Sequence, residues 1–298
     1  RSTLFPYTTL FRSTNRMMKL TPYKDLLAYA VQHKITIGAF NSFNLESLQA
    51  VVSAANKMDC PLIVQTYHEH FKYAGADYMA AIANVAAKNS KVRLALGLDH
   101  GQSFEQAKHC IEAGYSGVMI DLSSQDIDRN IFETKKVVEF AHQNGVSVEA
   151  ELGTIMTGDC TAAEIATGNT DPEIARRFVE ETGVDCLAVS VGTAHGLYKF
   201  KPEINFPLVE ELVKNTGCPI VVHGGSGTPD EDVKRMVKLG IAKLNVGTDF
   251  FIAYNKAMYD VMTEKGPKCD VIEVMRAARA AVEKVAIEKL KLLTAYRI

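Results

Sequence analysis

Short apolar runs alternate with longer segments of helical periodicity from residue 36 to the end of the chain. Eight apolar runs lie at 36–41, 61–66, 93–99, 116–121, 146–151, 186–191, 219–223 and 243–247. Most of them are continuously apolar rather than alternating, which is typical of parallel strands covered on both faces. The pattern therefore predicts eight parallel strands.

The segments between these runs repeat apolar residues at helical spacing and carry cap signals at their ends. Ser103 with Gln106 has the spacing of a capping box, and Asp171-Pro172 predicts a helix start. Other helices are predicted at 126–143, 171–182, 229–239, 249–265 and 270–293. The last of these is long and amphipathic, so it suits a contact between subunits.

Eight strand–helix units without an intervening linker indicate an α/β fold, a single-domain (β/α)₈ TIM barrel with extra C-terminal helices. A doubly wound sheet is the alternative, but it more often has fewer strands and one switch-point site. The longest connection, 152–170, comes after the fifth strand and is rich in small and polar residues. We therefore expect a mobile active-site loop there.

The first residues of the chain do not match the alternating pattern of the remainder. Residues 1–16 lack the basic and apolar regions of a secretory signal. We interpret 1–17 as a non-native leader from cloning or sequence assembly, with the native start at Met17 or Met18. The barrel domain is then 18–298.

Composition excludes several classes of function. The net charge is −2 with no long basic run, which disfavours nucleic acid or a membrane surface as the partner. No apolar run approaches the ~20 residues of a membrane span. The six cysteines form no CxxC pair, so we expect reduced thiols and a cytoplasmic protein.

Three histidines lie just beyond three different predicted strands at their carboxyl ends, which share one face of a barrel. They are His100, His195 and His223. Three imidazoles without a thiolate suit a catalytic divalent metal with an open coordination position, zinc first. The alternative is that each ring is a hydrogen-bonded or acid/base residue. His68-Glu69-His70 is a rival metal cluster, which we interpret as a rim loop.

Four carboxylates end strands on the same face. Asp99 directly precedes His100, and a carboxylate beside a dication can accept a proton from a substrate hydroxyl. The alternative role for Asp99 is to orient an imidazole. Asp121, Glu149 and Glu151 either bind a second cation or orient the imidazoles, and both alternatives stay open.

Glycine-rich segments come after the seventh and eighth strands, where barrels commonly hold phosphate. The residues concerned are Gly224, Gly225, Ser226, Asn245, Val246, Gly247 and Thr248. Their backbone N–H groups can close around an anion, although plain turns are the alternative. Thr228-Pro229 with Glu231 predicts a capped helix start directly after the first of these loops.

Five motifs together resemble the class II, metal-dependent ketose-bisphosphate aldolases, which include fructose- and tagatose-bisphosphate enzymes. The motifs lie at 98–101, 148–153, 192–196, 223–227 and 245–248. They occur in the family's order within a resemblance that runs from about Met18 to about Leu293.

The resemblance implies zinc-dependent, reversible aldol cleavage of a ketose bisphosphate such as fructose 1,6-bisphosphate. The products would be dihydroxyacetone phosphate and an aldehyde such as glyceraldehyde 3-phosphate. His100, His195 and His223 would hold the zinc, and Asp99 would exchange the proton of the C4 oxygen. The resemblance assigns dihydroxyacetone phosphate to Gly196, Gly224, Gly225, Ser226, Asn245, Val246, Gly247 and Thr248. We also expect a second divalent or a monovalent cation, and a homodimer or homotetramer.

The chain departs from the family pattern at three places. Residues 154–159 lack the usual Gly-Gly-acidic cluster, so no residue of this chain is assigned the role of the mobile acidic residue that the cluster supplies. Residues 122–125 lack a Ser-His-x-Pro sequence, and 67–70 lack a serine that some relatives use near the second phosphate. The last two departures leave the aldehyde half of the substrate open.

Four other functions stay open on the residues alone. The first is a tagatose-bisphosphate or other phosphosugar aldolase, and the second is a metal-dependent epimerase or isomerase. A Schiff-base aldolase needs a desolvated lysine on a strand, but His195 stands after the sixth strand and Lys243 stands at the start of the eighth. The last is a non-catalytic metal- and phosphate-binding regulatory subunit.

Overall fold

The computed structural model describes residues 19–298, so the interpreted leader at 1–17 lies outside the described residues. Eight parallel strands close into one barrel in chain order. They are β1 Ile37–Asn41, β2 Leu62–Tyr67, β3 Leu94–Gly101, β4 Gly117–Ile120, β5 Ser147–Leu152, β6 Cys186–Val189, β7 Ile220–Val222 and β8 Lys243–Val246. β8 pairs with β1, which confirms the TIM barrel and excludes the doubly wound alternative.

The strands are apolar along their length because the barrel interior and the outer helices cover both faces. Within the eight strands only Tyr67 and His100 are partly exposed, and both stand near a carboxyl end. The open end of the barrel is therefore the end at which the sequence places its polar residues.

Helices surround the barrel, with their apolar faces packed on the outer surface of the strands. They are α1 Tyr23–His33, α2 Leu45–Met58, α3 His68–Ala74, α4 Ala76–Asn89, α5 Phe104–Ala113, α6 Ile127–Gln143, α7 Ala162–Ala166, α8 Pro172–Thr182, α9 Phe206–Asn215, α10 Asp230–Leu239, α11 Thr248–Lys265 and α12 Val271–Leu293. Between residues 19 and 298, every helix is too short or too polar to cross a membrane.

The predicted caps are only partly as expected. Asp171 accepts hydrogen bonds from the N–H groups of Glu173 and Ile174, which confirms the start of α8. Ser103 accepts from the N–H of Gln106, but the Gln106 side chain accepts from Gln102 rather than from Ser103. The capping box is therefore incomplete.

The apolar stripe of α12, which suggested a subunit contact, is buried within its own chain. Ala278, Val282 and Ala286 are fully buried where α12 lies against α2 and α11. The alanines let the helices approach closely. The stripe thus completes the outer layer of the barrel.

Helix α1, for which the sequence pattern gave no prediction, closes the amino-terminal end of the barrel. Its residue Tyr23 is 1% exposed, and its ring lies between two strands that carry glycine. A Cβ atom on Gly97 would stand 1.4 Å from the Tyr23 hydroxyl oxygen, and one on Gly117 would stand 2.5 Å from the ring. Glycine is required at both positions because the tyrosine occupies the space.

Candidate active site

The three histidines meet at the carboxyl end of the barrel. The His100 and His223 ring centroids are 4.8 Å apart, and the His100 and His195 centroids are 4.9 Å apart. One nitrogen from each ring lies within 4.8 Å of the other two. A single ion can therefore contact all three imidazoles.

The backbone at the end of β3 is bent to place His100. The pairing of β3 with β4 shifts register between Leu98 and Gly101, and His100 has a φ of 52°. Positive φ is strained for a residue with a side chain, and such strain is found mainly at functional sites.

The donor set fits a metal ion. The Nε2 atom of His195 is buried without a hydrogen-bond partner among residues 19–298. Burial, together with the positive charge of His100, lowers the pKa of His195 to about 4. The ring is therefore neutral near pH 7, and an unpartnered neutral imidazole nitrogen is a metal donor.

Carboxylates orient the other two rings. Asp121 Oδ2 lies 2.7 Å from His100 Nδ1, and Glu149 Oε1 lies 2.9 Å from His223 Nε2. A carboxylate on the far nitrogen fixes the orientation of a ligating imidazole. Asp121 and Glu149 thus orient imidazoles, which is one of the two roles that the sequence left open for Asp121, Glu149 and Glu151.

Glu151 occupies a second potential metal position. Its Oε2 atom is buried without a hydrogen-bond partner in the described part of the chain, 3.9 Å from His100 Nδ1. Glu151, His100 and Asp121 form a second group whose ligand atoms lie within 4.8 Å of one another. Burial and the charge of Asp121 raise the pKa of Glu151 to about 8, so a cation there would relieve an unfavourable carboxylate.

Two asparagines hold Asp99 between them. Asn41 Nδ2 donates to one carboxylate oxygen over 2.7 Å, and Asn245 Nδ2 donates to the other over 3.1 Å. Burial alone would raise the pKa of Asp99, but the positive charges of His100 and Lys243 and the Asn41 hydrogen bond bring it below its ordinary value. The sequence pattern did not identify Asn41, for which the only signal was a polar residue ending an apolar strand.

A cavity of about 290 Å³ adjoins the histidines and Asp99. Of the eight residues assigned to the substrate, six line it, namely Gly196, Gly224, Ser226, Asn245, Gly247 and Thr248. Gly225 donates its N–H to the Asn245 carbonyl, and Val246 is buried in the outer core. The last two therefore shape the loops without facing the cavity.

Thr228 does not cap α10 as predicted. The helix begins at Asp230 after Pro229, with no side-chain cap. The Thr228 hydroxyl instead donates to the Gly224 carbonyl over 2.8 Å. The hydroxyl stabilises the glycine-rich loop, and the N-cap position of the helix falls on Pro229, which has no side-chain acceptor.

Tyr198, which the sequence pattern also did not identify, joins the loops after β6 and β7. Its hydroxyl accepts from the Ala194 N–H over 2.9 Å and donates to the Gly224 carbonyl over 3.1 Å. A Cβ on Gly224 would stand 2.3 Å from the Ala194 carbonyl oxygen, and the φ of Gly224 is 73°. The close approach of the two loops therefore requires glycine.

The long connection after β5 packs against the loop that carries His195. The His195 N–H donates to the Met156 carbonyl over 2.8 Å, and the Gly158 N–H donates to the His195 carbonyl over 2.7 Å. The segment also contains the short helix α7. It therefore supports a candidate metal ligand directly.

The rival cluster at 68–70 is not a rim loop, and that expectation was wrong. These residues begin the short helix α3. His68 Nε2 lies 3.3 Å from both Glu69 and Gln102, and His70 packs against Phe251. Neither belongs to a group that could hold a metal among the described residues.

A second cavity, of about 350 Å³, lies on the other side of His100 and His195. Tyr67, His68, Ser123 and Ser124 line it. The two departures at 67–70 and 122–125 thus face this cavity, on the side of the histidines away from the glycine-rich loops.

Comparisons with known proteins identify the family of the chain. The family model for class-II fructose-bisphosphate aldolase matches residues 21–296. A probable fructose-bisphosphate aldolase of Bacillus subtilis is 39% identical over 280 residues, covering 92% of this chain and 97% of the relative. The fructose-bisphosphate aldolase of Geobacillus stearothermophilus is 36% identical over 279 residues, covering 92% of this chain and 96% of that relative.

A solved structure shares the fold over nearly the whole chain. The YdjI aldolase of Escherichia coli K12 superposes with a TM-score of 0.82 at 32% identity, covering 92% of this chain and 97% of that one. The chain therefore belongs to the class II fructose-bisphosphate aldolase family, whose members are metal-dependent carbon–carbon lyases.

Proposed function

We propose that this enzyme is a zinc-dependent aldolase that reversibly cleaves a ketose bisphosphate such as fructose 1,6-bisphosphate. The products are dihydroxyacetone phosphate and an aldehyde such as glyceraldehyde 3-phosphate. The observation that carries the proposal is the unpartnered, buried Nε2 of His195 beside the ring nitrogens of His100 and His223. Asp99 and the glycine-rich loops line the same cavity.

His100, His195 and His223 would hold one zinc ion once His100 has released its proton, because three imidazole nitrogens with no thiolate leave a coordination position for substrate. When bound, the ion supplies Lewis-acid polarisation of the ketone oxygen. Asp121 and Glu151 would hold the second cation through carboxylate oxygens, since His100 Nδ1 donates to Asp121. Neither assignment depends on the acidic cluster that 154–159 lacks.

Asp99 would accept the proton of the C4 hydroxyl. Both of its oxygens accept amide N–H groups, which stabilise the ionised carboxylate. An ionised carboxylate fixed beside the substrate cavity is a competent general base. In the synthetic direction the same residue returns the proton to the C4 oxygen.

The loops around Gly196, Gly224–Ser226 and Asn245–Thr248 would bind the phosphate of dihydroxyacetone phosphate. At the start of α11, Ser226 Oγ accepts from the N–H groups of Gly247 and Asp249, which leaves the Thr248 N–H and the Ser226 hydroxyl hydrogen to donate to an anion. A phosphate held on backbone groups fixes the reacting carbons beside Asp99. We further propose a cytoplasmic homodimer or homotetramer, which light scattering of the purified protein would test.

Lys243 does not support a Schiff-base mechanism. Its ammonium is paired with Glu149 at 2.8 Å, and the side chain does not line the cavity. A tagatose bisphosphate remains the alternative substrate, since it differs from fructose bisphosphate only in the configuration at C4.

The test is cleavage of fructose and tagatose 1,6-bisphosphates by purified enzyme with and without zinc. We expect cleavage that EDTA abolishes, that zinc restores and that borohydride leaves unchanged. Borohydride inactivation in the presence of substrate would contradict the metal-dependent mechanism. Turnover of the tagatose compound alone would assign the alternative substrate.

A further inference from the structure

A buried lysine stands beneath the candidate active site. Lys243 begins β8 with its side chain inside the barrel, 1% exposed. Its ammonium contacts both carboxylate oxygens of Glu149, at 2.8 and 3.1 Å, and Asn245 Oδ1 at 2.5 Å. A buried ammonium is tolerated only with such partners. Because burying the charge costs stability, its presence here suggests a function.

We propose that Lys243 is a positioning residue that orients Asn245 toward Asp99 and Glu149 toward His223. The inference rests on the proposed function for the part that Asp99 plays in the reaction. Through these two contacts, one cation sets the geometry of the proton acceptor and of one metal-binding imidazole.

The chemistry of the ammonium determines the orientation of Asn245. An ammonium has only donors, so the asparagine must turn its carbonyl oxygen toward Lys243. Because the amide is planar, its NH₂ group then points away, toward Asp99 Oδ1 at 3.1 Å. A flipped amide would set NH₂ against the ammonium and oxygen against the carboxylate, which makes both contacts repulsive.

The other oxygen of Asp99 is held by a similar arrangement. Gln65 Nε2 donates to Asn41 Oδ1 over 3.0 Å, and Asn41 Nδ2 donates to Asp99 Oδ2 over 2.7 Å. A glutamine amide can itself turn over and exchange donor for acceptor, whereas an ammonium cannot. Lys243 therefore fixes which group donates and which accepts in the hydrogen-bond network that holds Asp99.

The second contact of Lys243 acts on His223. An ionised Glu149 is an acceptor only, so it takes the N–H from His223 Nε2 at 2.9 Å. Nδ1 of His223 is left to face His100 Nε2 at 3.1 Å. The ion pair with Lys243 keeps Glu149 in this place.

Lys243 does not line the substrate cavity, so it acts only through its neighbours. Loss of the ammonium would release the Asn245 amide from Asp99, while the backbone groups of residues 245–248 that would bind the phosphate stay in place. The effect should therefore fall on kcat rather than on KM, since ground-state binding is unchanged.

The test is a cycle of variants in which the substitution of Lys243 leaves no buried carboxylate without a partner. Lys243→Met by itself strands Glu149, so the substitution is made in a Glu149→Gln background, where a neutral pair of similar volume replaces the ion pair. We expect Lys243→Met to lower kcat about tenfold in that background, with KM and zinc affinity within about threefold.

The cycle is then repeated with Asn245→Ala. If Lys243 acts through Asn245, its substitution should lower kcat less than about twofold once the asparagine is gone, because coupled residues are not additive. An undiminished tenfold loss in the Asn245→Ala background would overturn the proposal, as would no loss in the Glu149→Gln background.

A measurement that does not depend on catalysis distinguishes failure of the orienting role of Lys243 from failure of the proposed aldolase function. In zinc-free enzyme labelled with ¹⁵N, the side-chain NH₂ of Asn245 should exchange slowly with solvent and should lose this protection when Lys243→Met is made in the Glu149→Gln background. Unchanged protection would overturn the orienting role. A wild-type enzyme that cleaves no ketose phosphate would refute the proposed function, while the NH₂ measurement would still test the orientation.

Discussion

His223 Nδ1 lies 3.1 Å from His100 Nε2, although 123 residues separate the two along the chain. Strands β3 and β7 stand on opposite sides of the barrel, so each ring reaches inward from its own strand end. Two ring nitrogens this close either share a proton or share a cation. The arrangement with His195 leads to the first prediction.

Replacing His195 by alanine should abolish stable zinc binding. The substitution removes the one unpartnered donor of the trio. The loss of affinity should exceed the roughly 10–100-fold that removal of an orienting partner costs. Zinc content after dialysis and competition with a chelator measure the change. His68→Ala on the same rim is the control, and equal losses in both variants would contradict the assignment.

Asp99→Asn should lower kcat by about 10²–10⁴-fold, the range associated with a general base. The amide cannot accept the proton, and it places a donor against the NH₂ groups of Asn41 or Asn245. Steady-state cleavage assays measure the effect. Zinc content should stay at the wild-type level, and unchanged turnover would exclude Asp99 as the base.

Zinc-free enzyme should lose stability as the pH rises from about 6.5 to 9. Burial lowers the pKa of His100, but Asp99, Asp121 and Glu151 outweigh it and raise that pKa to about 9. A base with a raised pKa stabilises the fold below its unfolded value, near 6.5, and this contribution disappears as pH passes the folded value. Glu151, with a pKa near 8, changes in the same direction.

The measurement is Tm of the zinc-free enzyme across this range, compared with zinc-loaded enzyme. Zinc must displace the proton from His100, so zinc affinity should rise over the same interval. A zinc-free Tm that climbs between pH 6.5 and 9 would contradict the assignment. Below this range His195, with its lowered pKa, acts in the opposite direction.

Tyr198→Phe should raise KM for the phosphorylated substrate and lower stability by about 1–2 kcal/mol, because a buried N–H at Ala194 loses its acceptor. The loops after β6 and β7 would no longer be joined through the hydroxyl. Steady-state KM and urea unfolding measure the two effects. Tyr254→Phe, which removes a hydroxyl bonded to Asn44, is the matched control and should leave KM unchanged.

The barrel and the histidine trio could be predicted because both depend on local patterns. Strand ends repeat at one face, so a residue after an apolar run is placed by topology alone. Which polar side chains contact one another beneath the site depends on the direction in which each side chain points inside the barrel. The contact from Lys243 to Glu149 joins residues 94 positions apart, and no local signal marks it.

Thr228 and His68 show where local rules fail. Thr228 had a cap pattern, but its hydroxyl donates to the carbonyl of Gly224, four residues earlier in the same loop. A rim loop was predicted at His68, but the segment begins helix α3, where His68 contacts Tyr67 and Gln102. The cap and loop patterns predicted neither the contact within the loop after β7 nor the contact from His68 to Gln102.

The eight strand–helix units depend on helix α1, which precedes them, because the phenol of Tyr23 closes the amino-terminal end of their barrel. Its ring lies 5.8 Å from the Lys243 ammonium and separates that cation from the solvent at the lower end of the barrel. A half-barrel or a permuted chain assembled from the repeating units alone would therefore leave the amino-terminal end of the barrel open to solvent. Water would then reach the buried Lys243–Glu149 ion pair, so any recombination of these units must retain α1.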